Sequence, residues 1–228
     1  MLNINPYNKE KFFKEFSSTD TYKKLVQDFD FVSFDWYLSI KKTDYTARQL
    51  LGDRTNPYTR FSAVTFYYLN FLLEQNPETI YDLGCGWNIF KKYIPNLIGV
   101  GAEDPAMPYF YADIHDFVDD NFIQGHQNYF ESLFSINALH FHPLSNFSTI
   151  VNNFYSMLTP HGRGFLALNL QRMIDRDHRF QTSSKEEIMQ FLKDQFSNLS
   201  HINFLVVDIQ PDPIDEALDG NVRLVMQK

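Results

Sequence analysis

Cysteine is nearly absent from this chain. Cys85 is the only one in 228 residues, so no intrachain disulfide can form and a reducing compartment is expected. Long apolar runs are missing too: none reaches membrane-spanning length, and Met1-Leu-Asn-Ile-Asn-Pro carries no basic-then-apolar leader. The expectation is a soluble, cytoplasmic protein with no membrane contact. Clustered positive charge is also lacking. The longest basic groups are pairs (Lys23-Lys24, Lys41-Lys42, Lys91-Lys92) in a chain of formal net charge −8. A duplex-binding surface needs clustered Lys and Arg to displace counterions, so duplex nucleic acid is disfavoured as a partner. No internal repeat or low-complexity tract is present, and no metal ligands are assigned.

What the chain has in quantity is apolar and aromatic side chains: 44% hydrophobic residues, with 23 Phe and 13 Tyr. That is enough for one α/β domain with an appendage. Residues 1–60 are expected to form a helical, aromatic-rich extension and 61–228 the main domain. In the extension, Tyr22, Leu25, Val26 and Phe29 share a helical face, and 41–57 is a polar linker or mobile loop with Gly52 and Pro57. Apolar residues at 61, 64, 67, 68, 71 and 72 predict a helix over 61–75, stopped by Asn76-Pro77.

A short apolar run, Ile80-Tyr81, then ends at Asp82 and breaks into a Gly-x-Gly turn, Gly84 and Gly86. Helical spacing resumes through Ile89, Phe90, Tyr93 and Ile94. Strand, glycine turn and helix form the unit that lets a backbone approach a ligand at a helix N-terminus. Further strands are expected at 97–101, 130–136, 165–170, 201–209 and 221–226, with helices at 147–158 and 185–196 and a turn at 159–164. The segment 119–128 is polar, a loop or short helix, and 210–220 is a long loop. This alternation predicts an α/β, doubly wound, mostly parallel sheet with helices on both faces and ligand binding at the carboxyl ends of its strands. Cys85, inside the turn, is expected to be a small buried residue rather than a nucleophile.

Asp82-Leu-Gly-Cys-Gly86 resembles the first motif of the class I S-adenosylmethionine-dependent methyltransferases. A nicotinamide dinucleotide is the rival ligand, but Ile89 stands where Gly-x-Gly-x-x-Gly needs its third glycine. The resemblance implies a seven-stranded sheet whose last two strands form an antiparallel edge, S-adenosylmethionine as cofactor, and an N-terminal extension able to cover the cleft. It places Asp82, Gly84, Gly86 and Asn88 against the cofactor. Asn88 replaces the family's third glycine, which leaves the turn feasible because Asn enters left-handed conformations readily. The family's ribose-binding acid falls at Gly101, so that role passes to Glu103 or Asp104. Asp113 falls near the adenine amino group, with His115 and Asp116 after it. Asn137 borders the cofactor beyond the strand 130–136, where the Asn/Asp-Pro-Pro-Tyr/Phe signature of adenine and glutamine methylation is missing. His140 and His142 are the candidate general bases, since an imidazole titrates near neutrality. Three functions stay open: methyl transfer to a small-molecule acceptor, methyl transfer to a protein or flexible polymer, and a non-enzymatic binding protein that keeps the fold.

Overall fold

The computed structural model describes residues 68–69, 71–86, 88–92, 94–102, 112–116, 118–139, 141–209 and 221–228. The expected extension (1–60), Trp87, Glu103, Asp104, His140 and the loop 210–220 lie outside the described residues.

One sheet of seven strands organises the chain: β1 (Ile80–Leu83), β2 (Leu97–Gly101), β3 (Ile114–His115), β4 (Phe130–Ile136), β5 (Leu158–Asn169), β6 (Asn203–Ile209) and β7 (Asn221–Gln227). Their spatial order is β3-β2-β1-β4-β5-β7-β6. The first five run parallel, and β7 is antiparallel to both β5 and β6. The expected doubly wound sheet with an antiparallel closing pair is therefore what forms.

The register sorts the side chains onto two faces, because residues two apart in a strand point the same way. On one face lie Leu83, Leu133, Leu166, Leu168, Val222, Leu224 and Met226. Helices α1 (Asp120–Gly125), α2 (Phe147–Ser156) and α4 (Lys185–Asn198) cover them through Phe122, Val151, Phe154, Leu192 and Phe196. On the other face, Gly99, Asp82, Phe134, Phe165 and Val225 form one cross-strand row. Residues 68–69 and 71–73, which are helical, and a 3-10 turn at Ile89–Lys92 pack here. Tyr68 stacks on Phe165 at 5.3 Å, Phe90 meets Phe134 edge-on at 5.6 Å, and Arg163 donates from Nη1 to the Phe71 carbonyl at 2.8 Å. Each fully buried Phe contributes about 1.5–3 kcal/mol by its removal from water, so the aromatic stock supplies much of the core.

Four local features depart from the sequence expectation. The helical spacing after Gly86 yields only the four-residue 3-10 turn, because Pro95 follows almost at once. The third strand, Ile114–His115, was not among the expected strands, and both its residues are exposed, so it lacks an apolar signature. The expected turn at 159–164 is absorbed into β5. His161 takes φ 70°, the pairing with β4 shifts between Phe130 and Ser132, and the Lys228 N–H donates to the Gly162 carbonyl. Finally, α3 (Leu170–Asp175) occupies a stretch with no assigned element. Asn169 caps it by accepting from the Arg172 N–H at 2.9 Å.

Candidate functional site

The site follows from how the chain leaves β1. Leu83 accepts from the Ser135 hydroxyl at 2.9 Å, which ties the end of β1 to β4. The Gly84 and Cys85 N–H groups both donate to the Val100 carbonyl, at 2.7 and 3.0 Å, which ties the turn to β2. Gly84 (φ 71°), Gly86 (φ 56°) and Asn88 (φ 49°) all enter the left-handed region, so Asn88 serves the third position conformationally, as expected. Asp82, immediately before this turn, is fully buried beneath it.

The glycines admit neighbouring side chains as much as any ligand. A Cβ on Gly84 would lie 2.2 Å from Cβ of Ala138, so the chain leaving β4 rests directly on the turn. A Cβ on Gly99 would lie 2.6 Å from the Asn88 amide, and one on Gly101 would lie 3.3 Å from the Cys85 sulfur. The buried thiol thus flanks the position where the resembling family carries its ribose acid. Neither Ala138 nor Gly99 has a sequence signal of its own; their roles exist only once β1, β2 and β4 are adjacent.

Asp113 gathers the corner between β2 and β3. Its Oδ2 accepts from the Gly99 N–H at 2.8 Å and the Asn88 amide at 3.0 Å, and its Oδ1 is ion-paired with Lys91. Burial alone would raise its pKa, but the hydrogen bonds from Lys91, Gly99 and Asn88 outweigh that and lower it. A carboxylate has about four acceptor positions, so three donors leave room for one more. His115 and Asp116 are exposed beside it.

Across the row, Asn137 follows β4 in a left-handed conformation (φ 53°). Its N–H donates to the Ala167 carbonyl at 2.9 Å, and its side-chain oxygen is buried with no hydrogen-bond partner. A buried amide oxygen without a donor costs free energy. It therefore marks a place where a ligand's N–H group would be welcome. His142 is exposed in the loop that follows, and its fellow candidate His140 is outside the described residues.

That loop is held by an acid the sequence did not single out. Asp177, 5% exposed, accepts from the Ser145 N–H at 2.8 Å and from the Arg179 guanidinium at 3.1 Å twice. Its burial pushes its pKa up, yet the Ser145 and Arg179 bonds prevail and hold it at about 2. The result locks the loop after β4 to the segment after α3. Among the described residues no group of His, Cys, Asp and Glu could hold a metal ion, and no helix is long and apolar enough to cross a membrane.

No protein-family model matches the chain, and neither does any curated protein. Solved structures do match in shape. A SAM-dependent methyltransferase from Archaeoglobus fulgidus superposes with a TM-score of 0.50 at 12% identity, covering 81% of this chain and 100% of its own. The 1,6-didemethyltoxoflavin-N1-methyltransferase of Burkholderia thailandensis, solved with S-adenosylhomocysteine, gives 0.46 at 13% identity over 86% and 91%. The fibrillarin pre-rRNA processing protein of Methanococcus jannaschii gives 0.41 at 16% over 66% of each chain. With its strand order, parallel core and antiparallel closing hairpin, the chain has the class I methyltransferase fold.

Proposed function

We propose that this protein transfers the methyl group of S-adenosylmethionine to a small-molecule acceptor. The observation that carries the reading is the left-handed glycine turn at the carboxyl end of β1, with Asp82 buried at its base and the unpartnered Asn137 oxygen across from it. Ligands of open α/β sheets bind at the carboxyl ends of the strands. The donor set there suits this cofactor. The backbone at Gly84 and Gly86 admits the amino-acid portion, and Asp82 and Asn137 accept from its ammonium group. Glu103 or Asp104 takes the ribose hydroxyls, and Asp113 keeps one acceptor position for the adenine amino group.

The bound cofactor supplies an already activated methyl group on a sulfonium. What remains for the chain is alignment, exclusion of water and removal of the acceptor's proton. His140 and His142, in the loop after β4, are the bases assigned to that proton. The acidic net charge, −8, favours a small acceptor over a nucleic acid duplex.

A second reading has its own observation. Gly101 offers no carboxylate, and the spaces at Gly84, Gly99 and Gly101 abut Ala138, Asn88 and Cys85. This favours a binding protein that keeps the fold without turnover. The two separate on incubation with methyl-labelled S-adenosylmethionine and a fractionated cell extract. Label in the small-molecule fraction supports the proposal, and label in protein redirects it to a protein acceptor. Cofactor binding without any transfer favours the second reading.

A further inference from the structure

At Asn88 the turn enters the left-handed region with a residue that carries a side chain, φ 49°. Glycine adopts that conformation at less cost, so a side chain here calls for a compensating contact. The Asn88 amide donates to Oδ2 of Asp113 at 3.0 Å, 25 residues on. Its backbone is engaged as well: the N–H donates to the Cys85 carbonyl at 3.0 Å, and the carbonyl accepts from the Lys91 N–H at 3.2 Å. Lys91 reaches back with Nζ to Oδ1 of the same Asp113. Both oxygens of one carboxylate are therefore tied to the glycine turn and to the 3-10 turn that follows it.

The amide could not reach Asp113 past an ordinary residue in β2. A Cβ on Gly99 would lie 2.6 Å from the Asn88 amide group, and the three atoms nearest to it would all belong to that side chain. Gly99 is outside the left-handed region, so glycine is needed there for space and not for conformation. Gly99 also aims the carboxylate. Its N–H donates to Oδ2 at 2.8 Å, and its carbonyl accepts from the Asp113 N–H at 2.8 Å. Asn88 is 7% exposed, so little water competes for its bond. Asn88, Gly99 and Asp113 thus depend on one another across three segments of the chain.

Resting on the methyltransferase reading, we propose that Asn88 is a positioning residue for the cofactor: its bond to Asp113, through the gap at Gly99, latches the left-handed turn in the shape the cofactor meets. A turn already fixed loses less freedom on binding. Glycine at position 88, the residue of the resembling family, would relieve the backbone and yet weaken cofactor binding.

The test compares the full-length wild type with Asn88→Gly, Gly99→Ala and the double variant. Without cofactor, hydrogen exchange followed by NMR reads the Gly84 and Cys85 N–H groups, which bond the Val100 carbonyl. Each single variant should speed exchange there at least about fivefold, and the double variant no more than Asn88→Gly alone. Exchange at Leu166 and Leu224, paired in the middle of the sheet, should not change. In calorimetry, affinity for S-adenosylhomocysteine should fall at least about fivefold in each single variant, again without further loss in the double. Four results would each overturn the latch: unchanged exchange at Gly84 and Cys85 in Asn88→Gly, equal acceleration at Leu166 and Leu224, a Gly99→Ala effect that persists once Asn88 is glycine, or a cofactor bound as tightly by Asn88→Gly as by the wild type. Failure of the wild type to bind S-adenosylhomocysteine counts against the methyltransferase reading instead, and the exchange rates still decide whether Asn88 holds the turn.

Discussion

The two edges of the sheet use one device at different depths. At the β3 edge, Asp113 gathers Lys91, Asn88 and the Gly99 N–H with its side chain 30% exposed. At the β6 edge, Asp208 accepts from the Tyr68 hydroxyl at 2.6 Å and from Arg223 at 3.2 Å with its side chain 5% exposed. The first corner lies against the glycine turn, and water shares in its charges. The second lies under the helical residues before β1 and has no such recourse. Contact chemistry is alike at both; what differs is the cost of losing a partner. Buried charge left unpaired is expensive, whereas an exposed pair contributes little.

Asp208→Ala should therefore have the largest effect. It strands Arg223, 8% exposed, without its counterion, and a loss of about 3–5 kcal/mol is expected in urea unfolding. A loss below about 1 kcal/mol would show that depth does not govern the contrast.

Asp177 comes next, through pH. Its folded pKa of about 2 lies below the ordinary 3.8, so its contribution is fully present above pH 3.8 and disappears as pH falls towards 2. The contribution amounts to no more than about 2.5 kcal/mol. Comparing acid unfolding of the wild type with Asp177→Asn checks it: the two stability curves should converge over that window, and parallel curves would refute the assignment.

Tyr68→Phe removes one hydrogen bond but leaves the stack on Phe165 intact, and should cost about 1–2 kcal/mol in the same urea assay. Smallest is Asp113→Ala, at about 1 kcal/mol or less, shrinking further in molar salt as the Lys91 pair is screened. If Asp113→Ala proved as costly and as salt-insensitive as Asp208→Ala, the two edges would have to be regarded as equivalent.

Which parts of this were legible from sequence follows the same physics. Phe130–Ile136 has its predicted bounds because its apolar residues, Phe130, Leu133, Phe134 and Ile136, fall on both faces of the sheet and are all buried. The turn through Gly84, Gly86 and Asn88 was legible because few residues tolerate positive φ. Ile114–His115 was not: two exposed residues carry no pattern, and they are a strand only because the Asp113 and Asp116 N–H groups reach the Gly99 and Gly101 carbonyls. The start of α4 carries a sequence signature of its own, Ser184 with Glu187 three residues on, which form a capping box. Ala138, Asp177 and Asp208 act through partners distant in the chain, and no local spacing announces such contacts. The candidate site was therefore legible at its glycine turn, whereas the support on its far side, Asp177 with Ser145, appears only in three dimensions.

The central claim is a cofactor site at the end of β1, and calorimetric titration with S-adenosylhomocysteine tests it most directly. Asp82→Asn, which keeps the buried shape, is the paired variant, with circular dichroism to establish that it folds. The account predicts saturable binding with Kd on the order of micromolar, weakened at least about tenfold in Asp82→Asn. Absence of binding up to about 1 mM, or equal affinity in the folded variant, would contradict it.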